Sequence, residues 1–433
     1  MPLSLPPALR YPAFRAFWLG MLASVSGFQI LRFGQFWLIF EMTGSPLALG
    51  WVGLANGVPA IFLNLFGGVA ADKLDQRRLV YITQTITAML IFLLATITLL
   101  DLVKVWHLLT IAFLAGGVEA FDQPARRVLF PQLIERKDMM SAVALNSSIW
   151  PGTRIMAPAA AGFIIAIADT EACFYLAGFG FLIMAAVTFS LRVPHTIRES
   201  GGNPLQDMLE GLDFIRKDST FTFLIAMTFF SSFFGMSYNA LLPVFAVEVL
   251  NIGAGRLGVL MGVGAIGSLA TAIWLASGKG TGYRGLLIFG GAVASGLSIA
   301  AFGLTSKIFG SFELAMALML VMGVSGTLFN TAAQSSLQMM VPRHIMGRVM
   351  GFYGMTWNIR PLGGLQASAL ASISVIGAPI AMAIGGAAVV AFALVSAMAS
   401  SKVRNLGSVL RQAELDTVSR SRSERPSPST TSD

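Results

Sequence analysis

Two carboxylates, Glu119 and Asp122, stand in the stretch GGVEAFDQPARR (116–127), directly behind the apolar run LLTIAFLA (108–115). A carboxylate in a greasy helix is costly as an anion. That cost makes proton uptake accessible, so such a group suits the carrying of protons. Glu119 falls near mid-span and is expected to alternate between a protonated form and a pair with an arginine. A fixed structural ion pair is the alternative. Asp122 lies one turn further along, with Arg126 at i+4, a good spacing for contact on one helix face. It is a second candidate for proton coupling, but its position near Asp72, Arg77 and Arg127 favours a cytoplasmic gate. Three arginines, Arg32, Arg154 and Arg360, also fall inside apolar segments. Each intramembrane charge costs at least about 2.5–3.5 kcal/mol at a helix centre, so each must face the interior and find a partner.

The neighbours of these arginines suggest a cavity wall. Ser26, Gln29, Arg32 and Gln35 recur every three residues as a polar stripe on an apolar helix. Its alternative role is helix packing. Trp150 precedes Arg154 by one turn, and Trp357 and Tyr353 precede Arg360 by one and two turns. Arginine beside aromatic rings suits an acidic or aromatic ligand. Tyr238, Asn239, Asn330 and Gln334 are weaker candidates for the same wall. Three arginines against two acids leave a positive excess, which favours a substrate bearing an acidic group. Pairing of Arg154 with Glu119 would remove that argument.

The elements that position these residues must be membrane helices. The chain has 433 residues, 55% hydrophobic and 12% charged, with mean hydropathy +0.74. A hydrocarbon core needs roughly 20 apolar residues per helix and excludes open backbone edges. Twelve spans are expected. The first six lie at roughly 14–40, 47–71, 79–100, 105–128, 140–168 and 172–191; the second six at roughly 221–247, 256–277, 285–304, 312–336, 347–373 and 377–400. The first is expected to be a retained span, not a cleaved leader. Of 29 Lys and Arg, about 23 fall on the side of the termini if the N-terminus is cytoplasmic; only Lys104, Arg256 and Lys307 fall opposite. That asymmetry places both termini inside, in a bacterial inner membrane.

The halves repeat. Glu41 with Glu248, Asp122 with Asn330 and Arg154 with Arg360 align at offsets of about 206–208 residues. The chain therefore divides into a first six-helix bundle (1–192), a linker (193–219), a second bundle (220–401) and a polar tail (402–433) expected to be disordered. Within the linker, NPLQDMLEGLDFIRK reads as an amphipathic helix with Asn203 as cap and Pro204 in its first turn, suited to the membrane interface or to solvent.

The stretch GGVAADKLDQRR (67–78) resembles the signature loop of the major facilitator superfamily: Gly68, Asp72 and the basic pair Arg77 and Arg78. Here Gly68 is expected to admit close helix approach, and Asp72 to meet a helix N-terminus or a neighbouring arginine. MTGSPLALGWVGLANGVPA (42–60), FDQPARRVLFPQL (121–133), ALNSSIW (144–150) and VPRHIMGRVMGFYG (341–354) look like the enterobactin-exporter-like and efflux branch. The resemblance spans roughly residues 10–400. It implies an all-α fold of two six-helix bundles and export of small molecules, siderophore-like, drug-like or acidic, usually by proton antiport. GTRIMAPAAAG (152–162) resembles the antiporter bend motif through Gly152, Pro158 and Gly162, though Ala157 stands where the family usually has Gly. The mid-span-four arginine of many drug antiporters is missing.

No enzyme is expected. There is no phosphate-binding Gly-rich loop, and His107, His195 and His344 are far apart. No metal or cofactor is expected, and no nucleic-acid partner. The single Cys173 excludes an intrachain disulfide. The expected partners are a small-molecule substrate, protons and the lipid bilayer, with the protein as a monomer. Uniport, import and lipid flipping on the same fold stay open.

Overall fold

A computed structural model of the chain describes residues 6–191, 204–277, 283–342, 345–408 and 412. Linker residues 193–203, His195, His344 and most of the 402–433 tail lie outside the described residues. Among the described residues there are helices and no strands.

In the first half the main helices are α1 (Pro12–Thr43), α2 (Pro46–Lys73), α3 (Gln76–Leu99), α4 (Val105–Leu129) and α5 (Met139–Ser190). The backbone of α5 leaves helical geometry at Ala168 and Asp169, so it forms two arms, 139–167 and 170–190. The linker carries α6 (Pro204–Lys217). The second half contains α7 (Ser219–Phe230), α8 (Tyr238–Val244), α9 (Ala254–Ala276), α10 (Arg284–Phe309), α11 (Phe312–Met340), α12 (Met346–Asn358), α13 (Arg360–Ala371) and α14 (Gly377–Ala399), with the short α15 (Ser401–Arg404) behind it. Among the described residues ten stretches are long and apolar enough to cross a membrane. The expected count of twelve differs for two local reasons. The two arms of α5 fall in one stretch, and the expected span 347–373 is divided at Ile359 into α12 and α13, each too short to count alone.

The breaks have chemical causes. Pro361 has no N–H for the carbonyl of Trp357, so the helix parts just before it. Wide π turns at Ser231–Gly235 and Phe245–Val249 flank α8. Interrupted helices of this kind surround binding sites in transporters, because irregular backbone is tolerated only where it lines a cavity.

The halves meet at one end of the bundle. There α2 packs on α13 and α5 on α9. A Cβ on Gly57 would collide with Pro361, and one on Gly162 with the carbonyl of Ala254; at Gly258 it would lie 2.6 Å from the Pro158 oxygen. Two of the three bend-motif residues, Pro158 and Gly162, thus sit in the seam between halves, while Gly152 faces open space. A cavity between the halves runs on from this seam past Asn64, Ala272 and Thr331, toward the end that carries both chain termini.

Three corrections to the sequence reading concern this terminus-bearing face. The glycine that permits close approach is Gly67, whose Cβ would strike the Ala120 carbonyl, whereas a Cβ on Gly68 would meet nothing within 4 Å. The linker helix does not lie free: Glu210 pairs with Arg348 on α12 at 2.5 Å, Ile215 is buried, and Gly211 rests on Arg348 and Phe352. The start of the tail is ordered, with Val403 and Leu406 buried under the second half and Lys402 bonded to Asp218 at 3.1 Å.

Gly67→Val is expected to lower the thermal unfolding midpoint in detergent by several degrees, since overpacking costs roughly 1–3 kcal/mol. Gly68→Val is expected to leave it unchanged. Equal shifts from the two would contradict the placement of the close approach at Gly67.

Candidate functional site

A cavity of about 780 Å³ lies between the halves. The first half lines it from α1, α2, α4 and α5, the second from α8, α9, α11, α12 and α13. It reaches Ala272 and Thr331 toward the terminus-bearing face. Gln29, Arg32, Glu119, Trp150, Arg154, Tyr238, Asn239, Asn330, Trp357 and Arg360 are all on its wall. Gln35, Gln334 and Tyr353 are not. Gln35 is fully buried, and its Oε1 accepts from Asn56 Nδ2 at 3.2 Å, so the far end of the polar stripe serves helix packing. Tyr353 is buried edge-on against Trp357, with ring centroids 6.1 Å apart.

Among the described residues the three arginines have no ion pair. The Arg360 guanidinium stacks 4.0 Å from the Trp357 ring centroid, and its Nε and Nη2 are buried without a hydrogen-bond partner. Arg154, on the opposite wall, makes no ion pair or hydrogen bond among the described residues, and it repels Arg360 electrostatically. Tyr238 lies within the field of both. Arg32 sits 4.9 Å from the Phe28 ring centroid with its Nε unpartnered. It attracts Glu119 across the cavity without ion-pair contact. The pairing of Arg154 with Glu119 left open by the sequence does not occur in this conformation.

The two acids differ sharply. Glu119 receives one hydrogen bond, from Gln123 Nε2 at 3.1 Å, and otherwise faces the cavity. Asp122 is saturated. Arg126 Nε stands 2.6 Å from its Oδ2, as an ion contact off the line of the N–H. Thr83 Oγ1 and Gln84 Nε2 donate to its Oδ1 at 2.8 and 3.0 Å. Arg126 in turn donates to Ser24 Oγ at 2.8 Å. One carboxylate therefore ties α1, α3 and α4 together.

The remaining gate residues have no hydrogen bond or ion pair to the second half among the described residues. Arg77 donates to the carbonyls of Thr188 and Phe189 at 3.0 and 2.7 Å, which caps the C-terminal end of α5. Arg78 is 81% exposed in its side chain and contacts Asp75 at 3.4 Å. Asp72 has no hydrogen bond or ion pair among the described residues.

Sequence reasoning passed over Asn56, Asn64 and Gln123 on the cavity wall. A signal existed for the first two: asparagines eight residues apart on an apolar helix share a face.

A family model described as "Transmembrane secretion effector" matches residues 4–424. Macrolide efflux protein A of Streptococcus pyogenes is 22% identical over 360 residues, covering 82% of this chain and 88% of that one. The staphyloferrin A transporter of Staphylococcus aureus is 23% identical over 350 residues, covering 80% and 86%. Among solved structures, a bacterial homologue of the human lysosomal transporter Spinster, inward-facing and unoccupied, superposes with TM-score 0.69 at 14% identity, covering 95% of this chain and 99% of that one. With its two-half helical fold and its charged cavity, the chain belongs to the transmembrane secretion effector family of major facilitator transporters and is no enzyme.

Proposed function

We propose that the protein is a proton-driven exporter of small organic molecules with an acidic group, working by alternating access in a bacterial inner membrane with both termini cytoplasmic. The observation that carries this reading is one under-bonded acid, Glu119, in a cavity whose three arginines have no acidic contact. The efflux relatives support the direction of transport. The terminus-bearing opening of the cavity, facing the cytoplasm by the positive-charge rule, supports loading from inside.

Arg154 and Arg360 come from different halves. An anion between them would relieve their repulsion and satisfy the orphan donors of Arg360. A carboxylate is the simplest such ligand, and the Trp357 face suits an adjoining aromatic or apolar part. Glu119 then exchanges a proton: it is ionised when substrate loads from inside and protonated when the site faces outward. Asp122 is a lock within the first half and not the coupling acid, because the Arg126 cation and two hydrogen-bond donors hold its charge.

In inverted vesicles with an acidic lumen, gradient-driven uptake is expected for carboxylate-bearing siderophore-like compounds. Glu119→Gln is expected to abolish the gradient dependence and keep binding. Equal gradient-dependent uptake in wild type and mutant would remove Glu119 from the role, and no gradient dependence in either would favour uniport. Arg360→Gln is expected to weaken binding of acidic compounds about ten- to a hundredfold and spare neutral ones, since a charge-assisted hydrogen bond contributes roughly 1.5–3 kcal/mol. Equal losses for both classes would remove the anion site. Asp122→Asn is expected to destabilise the protein by roughly 3–5 kcal/mol, as broken buried pairs do, while leaving a gradient response in what remains folded. Loss of that response at unchanged stability would transfer the coupling role to Asp122.

A further inference from the structure

A second cavity, of about 230 Å³, lies wholly inside the first half. It shares Phe28, Asn56, Glu119, Gln123 and Trp150 with the central cavity. Glu119 thus stands on the partition between the two. The side cavity runs from there past Thr87, Gln84 and Ser24 to Arg127, Phe130 and Asn146. Arg127 is exposed at the end of α4, on the terminus-bearing face.

This side cavity has a mainly apolar wall set with polar groups, Ser24, Asn56, Gln84, Thr87, Gln123 and Asn146, and is roomy enough for water. A water occupies about 30 Å³ in the liquid and needs two to four polar partners, which the walls offer several times over. One wall atom requires such a partner. Gln84 is 1% exposed, and its amide nitrogen donates to Asp122 at 3.0 Å. Its Oε1 is buried with no hydrogen-bond donor among the described residues. An orphaned buried acceptor costs roughly 1–3 kcal/mol, so in native proteins a water usually supplies the missing donor.

We propose that the side cavity is a water-filled passage that carries protons between Glu119 and the terminus-bearing face independently of the substrate cavity. The proposal rests on the reading of Glu119 as the coupling acid. Charged groups that act on Glu119 are Arg32 from α1 and Asp122 and Arg126 from α4. From α2, α3 and α5 the groups around the passage are neutral: Asn56, Gln84, Thr87 and Asn146. Asp122 is held by fixed donors, so water and these neutral groups form the chain. The consequence is kinetic. A substrate filling the central cavity does not trap the proton on Glu119, because the proton leaves by the other side.

The test blocks each route in turn and needs no transported compound. Asn239→Cys labelled with pyrene maleimide plugs the central cavity of the full-length protein. Infrared difference spectra after a pH jump follow the carboxylic-acid band that Glu119→Gln removes. With the plug alone, the band is expected to respond at close to the unplugged rate. With the plug plus Thr87→Leu, the response is expected to slow at least tenfold, and Asn146→Leu at the outer mouth is expected to do the same. Each filling variant without the plug is expected to respond normally, which also shows that it is folded. If the plug alone stops the response, or both filling variants leave the plugged rate unchanged, the passage is overturned while Glu119 keeps its role. If no band is lost in Glu119→Gln, Glu119 does not titrate, and both readings fall together.

Discussion

The structure is governed by the expense of charge in a hydrocarbon slab. The acids and arginines described inside the bundle are each held by close partners or turned to a cavity. The Asp122–Arg126 pair takes the first course within one helix and recruits Ser24, Thr83 and Gln84 from two others. A buried pair of this kind contributes little net stability, because desolvation offsets the Coulomb attraction. It strongly penalises any rearrangement that parts its members. The first half is therefore held as a body at the level where its acids lie, and on the proposed reading the motion of transport falls to the seam between halves.

The second half is built differently at equivalent depth. Asn330 stands where the first half has Asp122, and its amide bonds only its own helix, at the Gly326 carbonyl. Interruptions replace the polar lock: π turns around α8 and the parting of α12 from α13. Arg360 emerges at that parting, stacked on Trp357. The repeat has conserved an arginine in each half and assigned the acids to one. On the proposed reading, proton chemistry is thus confined to the first half, and ligand contact is shared across the seam.

Much of this was legible beforehand. Apolar run lengths located the helices, and the near-constant offset paired Arg154 with Arg360 before their proximity was visible. The misplacements have a common origin. Helical periodicity states which residues share a face, but not whether that face meets a cavity or another helix. Gln35 continues the stripe of Gln29 and Arg32, yet one turn further on α2 has closed in and Asn56 takes its side chain. Gly67 and Gly68 are adjacent in a motif that gives no hint which of them faces Ala120. The linker helix carried its apolar face openly in the sequence, but its partner α12 lies more than a hundred residues on. The side cavity could not be read at all, since its walls come from α1, α2, α3, α4 and α5 and no local pattern records an empty volume.

The unpaired arginines also bear on how binding drives motion. A ligand shifts a two-state equilibrium only by its difference in affinity for the two states. On the proposed reading, Arg154 and Arg360 repel each other across a cavity that is open at one end. Closing that end excludes water, and the repulsion grows as the effective dielectric falls. An empty site is therefore penalised for passing through the occluded state. An anion seated between the two guanidiniums reverses the sign of that contribution, because its attraction to both strengthens with the same loss of water. Glu119, attracted to Arg32 in the same cavity, acts on the same balance: its protonation removes one negative charge and leaves Arg32 without a counter-charge. The state that crosses readily is then either anion-loaded with Glu119 ionised or empty with Glu119 protonated only if Arg154 and Arg360 are kept apart by water. In a proton antiporter the empty carrier returns with Glu119 protonated, so on this reading that return is the crossing the uncompensated arginines slow, and it sets the turnover.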